Sequence, residues 1–253
     1  MNRPLTLTRG RYTARSALTE GDLLAAQQLR YQCFRAGRGE DRGVDQDTFD
    51  EACQHVLIED AHTGQVVCCY RLLQLESGAE LPQSYSAQYY DLTRLQRFER
   101  PMAELGRFCI HPQRYDPDIL RLAWGSMTAL VDRDGVEMLF GCSSFRGTDA
   151  APYLDAFALL RERHAAPERW RPGIKAPAVV RFTDGLSGSG EVKHAQSALP
   201  PLLRTYLLMG GWVSDHAVVD RDLDTLHVFT GLEISAVPPG RASLLRAVAG
   251  LVQ

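Results

Sequence analysis

The stretch Glu104-Leu105-Gly106-Arg107-Phe108-Cys109-Ile110-His111-Pro112 sets a carboxylate and a guanidinium inside an apolar run and ends it on a proline. Proline cannot donate to a sheet ladder, so the run reads as a strand that stops at Pro112. Successive strand residues face opposite ways. The spacing therefore predicts Glu104, Gly106, Phe108 and Ile110 on one face, and Leu105, Arg107, Cys109 and His111 on the other. Charges in such a strand are costly unless they are paired or used, so Glu104 and Arg107 read either as a structural ion pair or as site residues. Downstream, Asp118 offers a helix N-cap. Ile119, Leu122, Ala123, Ser126, Met127, Leu130 and Val131 then recur at helical spacing as far as Arg133. Gly135 ends that helix, Val136 to Phe145 is an apolar strand, and Thr148 or Asp149 opens a further helix through His164. Strand, helix, strand, helix is the pattern of an α/β domain.

The flanks extend the pattern. Residues 1–10 read as a loose tail and Tyr12 to Ala17 as a first strand. Thr19 and Asp22 resemble a capping box, and the helix they open carries Arg30 and Phe34 on one face, four residues apart. Gly37 to Gly43 breaks it. An acidic cluster follows, Glu40, Asp41, Asp45, Asp47, Asp50 and Glu51, with Phe49 as an apolar anchor in its middle. Gln54 to Glu59 and Gln65 to Leu75 form a hairpin across Asp60-Ala61-His62-Thr63-Gly64, with Arg71 inside its second strand. Residues 76–100 read as an irregular connection with a short helix. Residues 166–198, rich in proline, glycine and basic groups, read as a surface insertion. Pro200-Pro201 starts a helix that stops at Gly210-Gly211, and strands Trp212 to Val219 and Thr225 to Ile234 follow.

A chain of 253 residues with 45% hydrophobic and 23% charged side chains suits a single large domain over residues 1–253. The net charge of −3 argues against a nucleic-acid binder. No apolar run of about 18 residues offers a membrane span, and the N-terminus lacks the apolar core of a secretory signal. The six cysteines form no C-x-x-C pair and the seven histidines lack ligand spacing, so no metal site is expected. A reduced cytoplasmic protein is the simplest account.

Arg30 with Phe34, Asp47-Thr48-Phe49-Asp50, Arg71 and Glu104-x-x-Arg107-Phe108 match the order and spacing of the charged set in acyl-homoserine lactone synthases. Those enzymes belong to the GNAT superfamily and take acyl chains from acyl carrier protein. Four further stretches resemble the ornithine Nα-acyltransferases of bacterial ornithine-lipid synthesis more closely. They are Leu122-Ala123-Trp124-Gly125, Phe140-Gly141-Cys142-Ser143-Ser144-Phe145-Arg146-Gly147-Thr148-Asp149, Leu199-Pro200-Pro201-Leu202-Leu203-Arg204-x-Tyr206 and Trp212-x-x-Asp215-x-Ala217-Val218-Val219-Asp220. The resemblance runs from residue 12 to 235. It implies a GNAT-like mixed sheet with helices on both faces, and transfer of a 3-hydroxyacyl group from acyl carrier protein to the α-amine of L-ornithine, giving lyso-ornithine lipid. The alternatives are the same transfer to glutamine or another amino acid, a lactone synthase using S-adenosylmethionine, and a non-catalytic module that senses acyl chains. The lactone synthases carry a tryptophan after the Phe34 position, where this chain has Gly37-Arg38-Gly39-Glu40, which weakens that alternative.

Acyl transfer to an amine needs the amine neutral, and an α-amine titrates near about 8 against about 10.4 for a side-chain amine. A carboxylate base can cover the gap at neutral pH. Glu104 is the first candidate and Asp50 the second; either could instead hold the cationic substrate electrostatically. Asp45, Asp47 and Asp50 are candidates for the ornithine side-chain amine. Arg30, Arg71 and Arg107 are expected to pair with Asp47, Asp50 and Glu104 and fix the site, with Phe34 and Phe108 beside them. Ser143 and Ser144 are expected to line it near the thioester, Cys142 to serve packing, and His111 to be structural. Pro112-Gln113-Arg114-Tyr115-Asp116-Pro117-Asp118 has no glycine and two prolines, a poor pyrophosphate cradle. That favours a phosphopantetheine chain on acyl carrier protein over coenzyme A, with no bound cofactor. Arg169, Arg171 and Lys175, in a basic stretch around Trp170, read as carrier docking, as peripheral contact with the anionic inner-membrane face, or as a solvated insertion.

Overall fold

The computed structural model describes residues 4–36, 43–114, 116–182 and 192–251. The expectations placed on Gly37 to Glu40, Asp41 and Tyr115 lie outside the described residues. In chain order the elements are β1 (Thr6–Arg9), β2 (Tyr12–Ser16), α1 (Glu20–Phe34), β3 (Gln54–Asp60), β4 (Val66–Leu75), β5 (Tyr90–Asp91), β6 (Met102–Ile110) and α2 (Pro117–Arg133). Then come β7 (Met138–Arg146), α3 (Leu154–Arg163), β8 (Gly173–Ile174), β9 (Val179–Arg181), α4 (Val192–Ala198), α5 (Pro201–Leu208), β10 (Trp212–Asp220), β11 (Thr225–Glu233) and α6 (Pro239–Val248). The chain packs as two compact units, one of Met1–Gln74, Leu105–Val136 and Pro239–Gln253, the other of Leu75–Glu104 and Glu137–Pro238.

In the first unit β1, β2, β3 and β4 are antiparallel neighbours, and β6 lies beside β4. Helices cover both faces, as two successive residues of β4 demonstrate. Cys69 packs with Ala26 and Leu29 of α1, Leu57 of β3 and Cys109 of β6. Tyr70, pointing the other way, has its hydroxyl 2.8 Å from Ser126 Oγ of α2. The capping box of α1 is present, Thr19 Oγ1 accepting from Asp22 N–H while Asp22 accepts from Thr19 N–H. The N-cap of α2 is Asp116, two residues before the expected Asp118, because Pro117 occupies the first helical turn. The expected tail contains β1, joined to β2 through Gly10, whose φ of +57° suits the first position of a two-residue hairpin turn.

In the second unit β7, β11, β10 and β9 form an antiparallel run. Phe145, Phe157, Leu160, Leu203, Val213 and Val228 build the core on the side of α3 and α5. The register of β10 shifts between Val213 and Ala217. Ser214 fills the irregularity, its Oγ accepting from Phe229 N–H at 3.1 Å and donating to His216 O at 2.7 Å. The 166–198 stretch does more than cover a surface. It supplies β9, with Val179 opposite Val218, and Phe182, whose ring stacks on Phe157 at 4.7 Å.

Candidate active site

In the first unit the charged residues meet on the sheet face that α1 covers. Arg71 lies two residues past Cys69 on β4 and so shares its side. Arg30 comes from α1, and the segment that follows is tied to that helix by Asp45 N–H donating to Gln27 O at 3.0 Å. Arg30 Nε donates to Asp45 at 2.9 Å and Nη1 to Asp50 at 2.6 Å. Arg71 Nη1 reaches both Asp47 and Asp50 at 2.5 Å. Arg107 bonds Asp45 at 2.9 Å and lies 3.0 Å from Asp47, while Arg35 bonds Asp45 at 2.7 Å. Gln27 Nε2 donates to the second Asp50 oxygen at 3.0 Å, and Phe49 lies under the Arg71 guanidinium at 5.6 Å.

Among the described residues this lattice joins the guanidinium groups of Arg30, Arg35, Arg71 and Arg107 to the carboxylates of Asp45, Asp47 and Asp50. Side-chain exposure is 0% for Asp45, 2% for Asp50 and 21% for Asp47, so only Asp47 has appreciable access to solvent. Burial pushes the Asp45 carboxyl up, but Arg107, Arg30 and Arg35 outweigh it and hold its pKa at about 2. Asp50 is likewise kept below the usual carboxylate range, burial being overcome by Arg30, Gln27 and Arg71. Of the expected partners, Asp47 and Asp50 do meet Arg30, Arg71 and Arg107. Asp45 joins them, and Arg35 was not anticipated.

Arg107 has a φ of +51°, a left-handed residue inside a strand. Such a residue breaks the two-residue alternation. A Cβ on Gly106 would sit 3.3 Å from Arg71 Nε, on the α1 side. Phe108 instead stacks with Tyr70 at 6.2 Å, toward α2. Gly106 and Phe108 therefore do not share a face as the spacing predicted. Phe34 packs at the edge of the Cys69–Cys109 cluster.

Glu104 belongs to the second unit. Its buried carboxylate accepts from Tyr85 N–H at 2.8 Å, Ser86 N–H at 2.7 Å and Ser86 Oγ–H at 2.5 Å. These donors come from the irregular connection before β5, which carries short 3₁₀ turns at Gly78–Gln83 and Ser86–Gln88. Ser86 Oγ also lies 3.4 Å from Cys142 Sγ of β7. Ser143 and Ser144, grouped from sequence, point to opposite faces. Ser143 is buried and accepts from Thr230 Oγ1 at 2.9 Å on the helix side, while Ser144 is exposed opposite His227. His227 is buried under Tyr89 and Tyr90, and burial lowers its pKa to about 4.

The basic stretch is partnered within the unit. Arg169 meets Glu233 at 3.1 Å, Arg171 meets Glu168 at 2.7 Å, and Lys175 Nζ donates to Ala87 O at 2.6 Å. Among the described residues no group of three or more histidine, cysteine, aspartate or glutamate side chains could hold a metal ion. At the α2 N-terminus Asp116 accepts from Asp118 N–H at 2.9 Å and from the Tyr12 hydroxyl at 2.9 Å. That terminus is thus capped by the chain's own carboxylate. His111 accepts from Gln113 N–H at 3.2 Å, a local turn contact.

A model of the GNAT acetyltransferase domain matches residues 29–125, the stretch that holds Arg30, the three aspartates, Arg71, Glu104 and Arg107. The L-ornithine Nα-acyltransferase of Rhodobacter capsulatus is 32% identical over 238 residues, covering 89% of this chain and 91% of that one. The chain belongs to the L-ornithine Nα-acyltransferase family. Among solved structures, FeeM, an N-acyl amino acid synthase from uncultured soil microbes, superposes with a TM-score of 0.51 at 10% identity, covering 89% of this chain and 93% of its own. BjaI, a coenzyme A-dependent acyl-homoserine lactone synthase solved with S-adenosylmethionine and isopentyl-coenzyme A, gives 0.51 at 11% identity, covering 99% and 92%. At these identities the two speak for the fold, and they agree with the α/β, GNAT-like architecture expected of this acyltransferase family.

Proposed function

We propose that this acyltransferase moves a 3-hydroxyacyl chain from acyl carrier protein to the α-amine of L-ornithine. The amine nitrogen attacks the thioester carbonyl and loses a proton to Glu104, directly or through water. The carbon–sulfur bond then breaks, and the carrier's thiolate leaves and takes up a proton. The products are lyso-ornithine lipid and the carrier thiol. The observation that carries this reading is Glu104, a buried carboxylate held by three donors and ready to accept a proton. The kinship with an L-ornithine acyltransferase supplies the amine.

Three further assignments rest on local chemistry. Asp47, the most exposed carboxylate of the lattice, keeps access to solvent for a cationic group, while Asp45 and Asp50 hold arginines. The self-capped α2 N-terminus would set a pyrophosphate against Asp116, which supports a donor with a single phosphodiester. Arg169, 65% exposed despite its Glu233 contact, offers the acidic carrier a docking cation beside Arg171 and Lys175. No described helix is long and apolar enough to cross a membrane. Contact with the inner-membrane face would therefore be peripheral, where the lipid product leaves.

The test supplies the protein with 3-hydroxyacyl carrier protein or the matching acyl-coenzyme A, and with ornithine, glutamine or S-adenosylmethionine, and reads products by mass spectrometry. The expected product is Nα-acylornithine from the carrier donor. Faster use of glutamine or S-adenosylmethionine would overturn the substrate, and equal use of coenzyme A the donor.

A further inference from the structure

The turn that grips Glu104 is built for that purpose. Ser86 is fully buried, and both its N–H and its hydroxyl reach the same carboxylate oxygen, at 2.7 Å and 2.5 Å. Tyr85 N–H takes the other oxygen at 2.8 Å, so two adjacent residues fix the plane of the carboxylate. The turn itself is braced. Buried Ser84 accepts from Ala87 N–H at 3.2 Å and donates to Leu81 O at 2.7 Å, and the Tyr85 hydroxyl donates to Tyr89 at 3.3 Å. Because the Ser86 hydrogen is spent on Glu104, its oxygen serves Cys142 Sγ, 3.4 Å away, as an acceptor. The result is a directed chain from the Cys142 thiol to the Ser86 hydroxyl to the Glu104 carboxylate, in which each bond polarises the next.

We propose that Ser86 is the positioning residue of the Glu104 base, its hydroxyl fixing the carboxylate's orientation and keeping it ionised so that it can take the amine proton. This rests on the reading of Glu104 as base. A donor to a carboxylate favours the charged form. Removing it raises the pH at which Glu104 gains its proton, so the acid limb of the rate profile moves upward. Among the described residues, the other titratable groups about the clamp are Cys142 on β7, the phenols of Tyr85, Tyr89 and Tyr90, and His227 on β11, which packs edge-on against Tyr89 at 4.9 Å. His227 titrates on the acid side, so the same profiles are also run in a His227→Gln background, where the acid limb that remains belongs to the clamp.

The experiment compares kcat and KM from pH 5 to 10, with ornithine and the carrier-bound donor, for the wild type and Ser86→Ala, Ser86→Cys, Ser86→Thr and Glu104→Gln. Ser86→Ala is expected to lower kcat by about tenfold near neutrality, leave the donor KM in place, and move the acid limb up by about one unit. Ser86→Cys fills the same space with a weak donor, and covers the case in which alanine disturbs folding; it should shift the limb likewise. Ser86→Thr keeps the hydroxyl and should return the limb to its wild-type place. An unmoved acid limb in both the alanine and cysteine enzymes would overturn the proposal. So would a threonine enzyme, folded by its melting curve, whose limb stays shifted. Wild-type turnover by Glu104→Gln would remove the base reading itself, an outcome separate from the Ser86 result.

Discussion

Asp50 is where a structural and a catalytic role can be told apart by measurement. One of its oxygens receives Arg30 at 2.6 Å and Arg71 at 2.5 Å, and the other receives Gln27 at 3.0 Å. Asp50→Asn keeps the shape and removes the negative charge that Arg30 and Arg71 share. Each lost attraction is worth about 4 kcal/mol at 4 Å with an effective dielectric of about 20. The desolvation no longer required of the carboxylate offsets part of this, and breaking a buried pair from one side costs about 3–5 kcal/mol in practice. With a urea slope of about 2 kcal/mol per molar, the midpoint should fall by about 2 M. Hydrogen exchange should quicken in peptides from α1 and β4, whose Arg30 and Arg71 keep Asp45 and Asp47 but lose their shared partner. The sign with pH follows from the lowered pKa of Asp50. The gap between variant and wild type is full above about pH 4 and closes as the wild-type carboxyl gains its proton. A midpoint within about 0.3 M of the wild type, together with lost turnover, would refute the structural role and return Asp50 to the list of bases or substrate ligands.

Other substitutions and conditions test the same geometry. Gly106→Ala places a methyl 3.3 Å from Arg71 Nε and should cost about 1 kcal/mol in thermal unfolding, because Arg71 must give way slightly; an unchanged melting point would count against the contact. Gly231→Ala would bring a methyl within 2.3 Å of the Trp212 ring, which stacks on Phe229. That clash should cost about 3 kcal/mol and alter tryptophan emission. Asp45, held at about 2 against about 3.9 unfolded, contributes stability above pH 4 that is lost as pH falls toward 2, about 2–3 kcal/mol in all. Acid unfolding of Asp45→Asn should lack that slope. His227, at about 4 against about 6.5 unfolded, makes stability decline as pH falls from 6.5 to 4 by about 3 kcal/mol. His227→Gln should flatten that decline in urea titrations.

Elements whose signals are local were legible in the sequence. The Thr19–Asp22 cap, the turn through Gly64 at a φ of +70° and the apolar stripe of α2 each depend on neighbours a few residues away. β1 was not legible, because its residues are mostly exposed and offer no apolar alternation. Nor was α6, whose residues include no fully buried one, although Val248 packs closely over Gly125 of α2. The residue types of the site could be read, and so could the prospect that its arginines meet its aspartates. The pairing could not. The contacts of Arg107 in it go with a left-handed backbone that no spacing announces in a non-glycine residue.

Ser143 and Ser144 show the opposite case, since strand alternation alone separates them and a common lining role conflicts with it. Glu104 shows why a carboxylate held by backbone groups is harder to read than one held by cations. A charged strand residue prompts a search for a cation, because charge is what composition makes visible. Glu104 takes two of its hydrogen bonds from backbone N–H groups, which every residue but proline carries and no sequence motif marks. What makes those groups available is a short 3₁₀ turn 18 residues upstream, braced by Ser84. Ser86, which adds a side-chain donor, belongs to a type that ordinarily signals a cap or a turn. It does open a turn, and the same position hands its hydroxyl to Glu104. A connection without regular structure can therefore hold a carboxylate as firmly as a helix end would, and its serines merit the scrutiny usually given to strand-borne charges.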